Sequence, residues 1–216
     1  MKNSIFILFL LISGLVDGQK HTKLLESGTE KYKMGDYEGA ILDFTKANEK
    51  SPSKKLVPAF DYRGWAKYAL GDLKGAISDF TLAIEYSSYP EWTFEYYYSR
   101  GLCLSELKDN KGAILDFTKS IELNSDPKYF MYDLEILTKA YANRGGSKLD
   151  LIDNEGAIID LKKAIELNPN DIDSYYNIGC AFFNLNNLEK ACLYWKKSLA
   201  LGDKEVIDII KKNCGN

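Results

Sequence analysis

The feature that most constrains the fold of this 216-residue chain is a ten-residue segment that occurs four times. It reads GDYEGAILDF from Gly35, GDLKGAISDF from Gly71, KDNKGAILDF from Lys108 and IDNEGAIIDL from Ile152. The alanines of these copies, followed by Ala191 in a fifth and weaker copy, are spaced by 36, 37, 44 and 34 residues. Repetition at this period is typical of chains that stack one supersecondary unit on the next, because a single unit cannot bury its own apolar face.

Each copy carries the pattern of a helix that is buried on one side. A glycine lies twelve residues before the alanine, a large apolar residue follows the alanine by four positions, and a small residue follows by seven, which forms one helical stripe. An Asp or Asn ahead of the stripe predicts an N-cap. The glycines are Gly28, Gly64, Gly101, Gly145 and Gly179, the alanines Ala40, Ala76, Ala113, Ala157 and Ala191, the large residues Phe44, Phe80, Phe117, Leu161 and Trp195, and the caps Asp36, Asp72, Asp109, Asp153 and Asn187. We predict five helical hairpins in which the glycine faces the alanine, so that the two backbones approach closely.

The most regular copies, RGWAKYALGDLKGAISDFTLAIEYS and NRGGSKLDLIDNEGAIIDLKKAIELNP, resemble the tetratricopeptide repeat. The resemblance covers about residues 20 to 202 and implies an all-α fold, a right-handed α-solenoid of helix-turn-helix repeats. The repeats would cover about 21–54, 57–90, 94–127, 128–171 and 172–202, followed by a capping helix over 203–216. The chain departs from the family where Ser88 and Ser125 replace a terminal proline.

Two segments fall outside the regular repeat. The 44-residue spacing holds an insertion, the segment from Asp126 to Ala140, which we interpret as a lengthened first helix of the fourth hairpin. A separate short helix in the connection is the alternative. After Leu201 the segment GDKEVIDIIKKN predicts a final helix that is capped by Asp203 and covers the end of the stack.

The first eighteen residues differ from the rest of the chain. Lys2 precedes an uncharged apolar run over 5–12, and small residues follow at Val16 and Gly18, which is the pattern of a cleaved export signal. The run is shorter than the roughly 20 residues that a membrane-spanning helix needs. We expect a bacterial envelope protein, periplasmic or secreted, whose mature chain starts near Gln19 and is not stably inserted in a membrane. An uncleaved anchor is the alternative.

Export makes disulfides possible, and two pairings are open. Cys192 and Cys214 lie eleven residues on either side of Asp203, where the last helical hairpin turns. Antiparallel helices bring such positions together. Cys180 and Cys192 are likewise symmetric about Asn186. We favour Cys192 with Cys214, because the residue after the hairpin alanine should face the following helix.

Regularly placed charges predict ion pairs. Arginines precede three hairpin glycines and aspartates precede four of the large apolar residues: Arg63, Arg100 and Arg144, and Asp43, Asp79, Asp116 and Asp160. The pairs lie either within a hairpin, as Arg63 with Asp79, or between neighbours, as Asp43 with Arg63. We favour neighbours, because Ser27 replaces the arginine in the first hairpin, which no other hairpin precedes. A row of arginines that grips an acidic ligand is the functional alternative.

Enzyme signals are nearly absent from the sequence. His21 is the single histidine, which excludes histidine-based triads and most zinc sites, and no phosphate-binding or nucleophile-elbow motif occurs. A net charge of -3 with both signs mixed gives no basic face for nucleic acid. We therefore predict no catalysis, no cofactor, no metal site and no nucleic-acid binding.

The resemblance implies that the first helices line a concave groove that binds a peptide or a partner helix. The residues expected to face it lie one helical step from the hairpin glycines: Tyr32, Asp61, Trp65, Tyr68, Tyr98, Leu102, Tyr176 and Phe183. Aromatic rings with polar tips give much contact area at low entropic cost, so we predict a protein-interaction scaffold. Two alternatives are recognition of a cell-wall glycan by the same rings and packing of the rings between helices.

Overall fold

A computed structural model of the chain describes residues 20–51, 55–89, 92–126, 128 and 133–215. The predicted export signal over 1–18 lies outside these residues. The chain divides into two compact units, Met1–Tyr96 and Tyr97–Asn216, which we call unit 1 and unit 2.

The described residues form eleven helices and no strand. Helix α1 covers 20–33, and the others are α2 (Tyr37–Lys50), α3 (Val57–Ala69), α4 (Leu73–Tyr86), α5 (Thr93–Glu106), α6 (Asn110–Asn124), α7 (Leu134–Asp150), α8 (Asn154–Leu167), α9 (Ile172–Asn184), α10 (Leu188–Ala200) and α11 (Ile207–Asn213). The first ten pair as five consecutive hairpins. This confirms the predicted all-α solenoid of helical hairpins. Among the described helices, none combines the length and the apolar character needed to cross a membrane.

The second helix of each hairpin begins at its predicted cap. The side chain of Asp72 accepts a hydrogen bond from the Gly75 N–H, and Asp36, Asp109, Asp153 and Asn187 act in the same way. The residue before each cap has a positive φ: Gly35, Gly71, Lys108, Ile152 and Asn186. This backbone conformation turns the chain between the two helices of a hairpin. It favours glycine, yet three hairpins adopt it with other residues.

The structure adds a second partner to the predicted contact of the hairpin glycine. A Cβ added at Gly64 would lie 2.8 Å from Cε1 of Phe80, and one added at Gly28 would lie 2.7 Å from Cε1 of Phe44. The glycine therefore makes room for the large apolar residue four positions after the alanine. The alanines are fully buried as well: Ala40, Ala76, Ala113, Ala157 and Ala191. The same glycine contact joins Gly101 to Phe117, Gly145 to Leu161 and Gly179 to Trp195.

The arginine–aspartate pairs form within hairpins, so the favoured pairing between neighbours is wrong. Arg63 donates from Nε and Nη2 to the two carboxylate oxygens of Asp79, at 2.9 and 2.6 Å. The neighbouring hairpin supplies a hydroxyl instead of a carboxylate, because Nη1 of Arg63 donates to Thr45 on α2 at 3.0 Å. The same bidentate geometry joins Arg100 to Asp116 and Arg144 to Asp160. The arginines thus hold helices together, in place of the ligand-gripping row that was the alternative.

The first and fifth hairpins lack the arginine. In the first, Asp43 accepts from Ser27 and pairs with Lys31, both at 2.7 Å. Burial would raise the pKa of Asp43, but these hydrogen bonds hold it below its usual range. In the fifth, Ile178 replaces the arginine and Tyr194 replaces the aspartate, and both belong to the apolar core of that hairpin.

The insertion lengthens α7 only in part. This helix has 17 residues, compared with 13 in α3 and in α9. It begins at Leu134, after Asp133, whose carboxylate accepts from the Ile136 N–H at 2.9 Å. Asn124 at the end of α6 exchanges two hydrogen bonds of 2.8 Å with the backbone of Asp133. The predicted longer helix therefore holds for 134–140, and residues 127 and 129–132 lie outside the described part.

The final helix is shorter than predicted, and its cap is different. Asp203 accepts from Ser198 Oγ and from the Glu205 N–H, so it does not cap α11, which begins four residues later. Cys192 on α10 forms a disulfide with Cys214 after α11, with their Cα atoms 5.6 Å apart. This is the favoured one of the two pairings that the spacing leaves open, and it ties α11 to α10.

Candidate functional site

Four residues of the predicted groove lie on the first helices of unit 1, namely Tyr32 on α1 and Asp61, Trp65 and Tyr68 on α3. The Trp65 ring packs against its neighbours, with its centroid 5.5 Å from Tyr68 and 5.4 Å from Phe80. Trp65 and Tyr68 nevertheless keep part of their surface accessible. The Trp65 ring therefore packs between helices, as the alternative interpretation expects, and both rings also keep an accessible side.

Asp61 occupies an unusual electrostatic position in unit 1. Its burial and the charge of Glu95, at the start of α5, raise its pKa to about 7. Burial, together with the charges of Asp61 and Glu95, also raises the pKa of Tyr96 to about 12. The rings of Tyr32 and Tyr62 meet edge to face at 6.2 Å. Unit 1 thus carries a carboxyl group with a raised pKa whose charge acts on Tyr32 and Tyr96.

On unit 2, Tyr98 and Leu102 lie on α5. The Tyr98 hydroxyl accepts a hydrogen bond of 3.3 Å from Nδ2 of Asn143 on α7, and its ring lies 5.9 Å from that of Phe117. Burial raises the pKa of Tyr98 to about 12. Tyr98 therefore serves mainly to connect α5 with α7, whereas Leu102 stays partly exposed on the same helix.

The remaining predicted residues, Tyr176 and Phe183, lie on α9. Phe183 is 45% exposed and rests on Trp195, with the ring centroids 5.6 Å apart. The nearby Cys180 and burial raise the pKa of Tyr176. Tyr176 also lines two cavities, one of ≈ 450 Å³ between α7 and α9 and one of ≈ 730 Å³ toward α11. Helix α9 therefore combines exposed aromatic surface with concave space.

Family models of the tetratricopeptide repeat match residues 94–127, 153–186 and 172–201. These segments of the chain are tetratricopeptide repeats. The matches at 94–127 and 172–201 coincide with the third and fifth hairpins, whereas the match at 153–186 covers α8 and α9 and is displaced by half a repeat.

Solved structures share this fold at low sequence identity. A crystal structure of MamA matches with a TM-score of 0.74 and 23% identity, covering 88% of this chain and 96% of that chain. YrrB, described as a TPR protein with an unusual peptide-binding site, matches with a TM-score of 0.72 and 20% identity over 88% and 90%. PilF of Pseudomonas aeruginosa matches with a TM-score of 0.70 and 16% identity over 90% and 82%. No curated protein matches the sequence.

Several residues on the first helices of the hairpins lie outside the predicted set of site residues. Glu95 and Asp173 each lie six residues before a hairpin glycine, and Asn143 lies two before. Their fixed distances from the hairpin glycines are the sequence signal for them. Gly146 follows a hairpin glycine directly, where the other repeats carry Thr29, Trp65, Leu102 and Cys180. That departure was the signal for a local difference in shape.

The two cysteines outside the disulfide are free thiols. Burial raises the pKa of Cys103 to about 12, and burial also raises that of Cys180. Both therefore stay protonated near neutral pH, which disfavours a thiolate nucleophile. Within the described ranges, no three His, Cys, Asp or Glu side chains are grouped so as to hold a metal ion.

Proposed function

We propose that this chain is a non-enzymatic protein-interaction scaffold that binds a peptide segment or a helix of a partner protein. The binding surface is the accessible side of the first helix of each hairpin, and we call these surfaces the first-helix faces. The observation that carries this proposal is the setting of Trp65 and Phe183. Each ring is supported from behind by a buried ring, Phe80 or Trp195, and keeps an accessible side. Rigid aromatic side chains beside polar groups are typical anchors of binding surfaces. The printed description of YrrB, a similar fold with a peptide-binding site, supports the same use.

Selection of a random dodecapeptide phage library on the full chain tests this function. The affinity of a selected peptide is then compared between the wild type and Phe183→Ala, and we expect a loss of about tenfold or more. Leu115→Ala is the matched control, because it removes an exposed aliphatic side chain from the second helix α6. Peptides whose affinity responds equally to both variants would contradict binding at the first-helix faces.

The glycan alternative gives a different result in the same assay. Soluble peptidoglycan fragments should displace the selected peptide if the aromatic rings recognise sugars. If these fragments bind the wild type but not Phe183→Ala, while no peptide is selected, the chain is a glycan-binding module and the scaffold proposal is wrong.

We also propose that the chain is exported, to the periplasm or beyond the cell. The charged start and apolar run within residues 1–18 support this, as does the disulfide between Cys192 and Cys214, because disulfides persist in oxidising compartments. Cell fractionation followed by N-terminal sequencing tests it. We expect an N-terminus near Gln19 in the soluble envelope or extracellular fraction, and an intact Met1 in the membrane fraction would contradict it.

A further inference from the structure

Gly146 has no structural reason to be a glycine. It lies inside α7, where glycine costs about 1 kcal/mol relative to alanine, and its φ is not positive. A Cβ added at Gly146 would meet no atom within 4 Å. The adjacent hairpin glycine behaves differently, since a Cβ added at Gly145 would lie 2.7 Å from Cγ of Leu161. Packing thus requires Gly145 and leaves Gly146 unexplained.

The space beside Gly146 belongs to the cavity of ≈ 450 Å³ between α7 and α9. Asn143 and Asn177 line it together with Tyr176. Because Nδ2 of Asn143 already donates to Tyr98, its amide oxygen is the atom that remains to accept from a ligand. The other repeats fill the position of Gly146 with a larger side chain, so this glycine is what keeps the cavity open.

The charges around the cavity select the type of ligand. Asp171 and Asp173 line it, and its one lysine, Lys139, is already paired with Glu135 at 2.5 Å. The cavity of ≈ 730 Å³ shares Asp173 and Tyr176 with the first, and adds Asp203 and Glu205 against Lys204. Carboxylates therefore outnumber cations on both sides of Tyr176, and an aromatic ring between carboxylates suits a cationic side chain.

We propose that Gly146 keeps open a pocket for a lysine or arginine side chain of the bound peptide, next to Asp173 and the ring of Tyr176. This inference rests on the proposed peptide-binding function and names the chemistry of the partner segment. Amide oxygens, a carboxylate and an aromatic ring together match the several donors and the delocalised charge of such a side chain. The partner is then a basic segment that lies across α9.

The dodecapeptide library selected on the full chain tests this pocket. We expect the selected peptides to be enriched in lysine and arginine, and Gly146→Leu to weaken their binding about tenfold or more while the thermal midpoint does not fall. Ser78→Leu is the matched control, because it adds the same side chain at an exposed position of α4. The equivalent positions of α2 and α6 already carry exposed leucines, Leu42 and Leu115. Replacing the basic residue of the peptide by methionine should abolish the difference between the wild type and Gly146→Leu.

The outcomes separate the pocket from the general function. Peptides that lose affinity in Phe183→Ala but bind Gly146→Leu as well as the wild type would overturn the pocket and leave the scaffold intact. Selected peptides without basic residues would overturn it as well. If no peptide is selected at all, the proposed function fails and the pocket with it.

Discussion

Arg144 and Asp160, sixteen residues apart, join the two helices of the fourth hairpin through parallel hydrogen bonds of 2.8 and 2.7 Å. Lys148, one turn after Arg144, pairs with the same carboxylate at 2.7 Å. The remaining donor of Arg144, Nη1, reaches Thr118 on α6 at 3.0 Å. Because the side chain of Asp160 is only 3% exposed, its charge is tolerated only with these cations beside it.

Asp160→Asn should therefore destabilise the chain strongly. The substitution leaves the partly buried Arg144 and Lys148 facing a neutral side chain, and removal of one partner from a buried pair costs up to about 3–5 kcal/mol. Urea unfolding followed by circular dichroism measures the loss. Asp116→Asn is the comparison. In its hairpin Leu104 occupies the position that Lys148 occupies in the fourth hairpin, so the substitution deprives fewer cations of a partner. An equal loss in both variants would show that Lys148 contributes nothing.

The intra-hairpin pairing was within reach of the sequence. Arg63 to Asp79, Arg100 to Asp116 and Arg144 to Asp160 are all separated by sixteen residues. The neighbour pairs are separated by 20, 21 and 28, because the connections between hairpins differ in length. A contact that belongs to a rigid hairpin must keep a constant spacing, and this argument outweighs the one drawn from Ser27.

The hairpins themselves could be predicted because each residue class recurs at a fixed helical position. The partner of the glycine could not, since Ala76 and Phe80 keep equally constant spacings from Gly64. Only the side-chain direction decides that the Phe80 ring fills the gap. Burial raises the pKa of Asp61, and the charge of Glu95 in the next hairpin adds to the rise. The repeat pattern does not specify either effect. Gly146 was visible as a departure from the pattern, but the cavity beside it required coordinates.

Gly64→Ala should destabilise the chain even though alanine is the better helix former. The added methyl group would lie 2.8 Å from the Phe80 ring, which is fully buried and has little room to shift, so overpacking of about 1–3 kcal/mol outweighs the gain of about 1 kcal/mol in helix propensity. Gly146→Ala is the matched variant. It makes the same change in open space and should stabilise by up to about 1 kcal/mol. Thermal unfolding of both variants checks the opposite signs, and a stabilised Gly64→Ala would contradict the packing described here.

Asp61 should make stability depend on pH. The folded carboxyl keeps its proton up to about 7, whereas the unfolded one releases it near the ordinary pKa of 3.8. The folded state therefore binds more protons between these values, and stability falls as the pH rises through this range and stays lower above it. Asp61→Asn removes this loss, so it should raise stability at about pH 8 by at least about 1 kcal/mol more than at about pH 4. Urea titrations at the two pH values measure the difference.

Glu85→Gln is the control for Asp61, because it neutralises an exposed carboxylate on α4 of the same unit. A benefit of Asp61→Asn that is equal at both pH values, or matched by Glu85→Gln, would show that the carboxyl titrates normally. Glu95→Gln should lower the pKa of Asp61, since it removes the second cause of the shift.

Reduction of the disulfide should loosen the end of the chain more than the repeats. Cys192 and Cys214 close a loop with a sequence separation of 22, and a cross-link of this length contributes about 3 kcal/mol by restricting the unfolded chain. Helix α11 has seven residues, none of them fully buried, and besides the disulfide it is held by the partly buried Ile209 and Ile210, which pack against the core. We expect reductant to speed amide exchange over 207–213 while α3 and α4 stay protected, and a Cys192→Ser, Cys214→Ser variant to show the fast exchange without reductant. Equal exchange over 207–213 in the oxidised and reduced protein would mean that Val206, which is fully buried, is enough to anchor this helix.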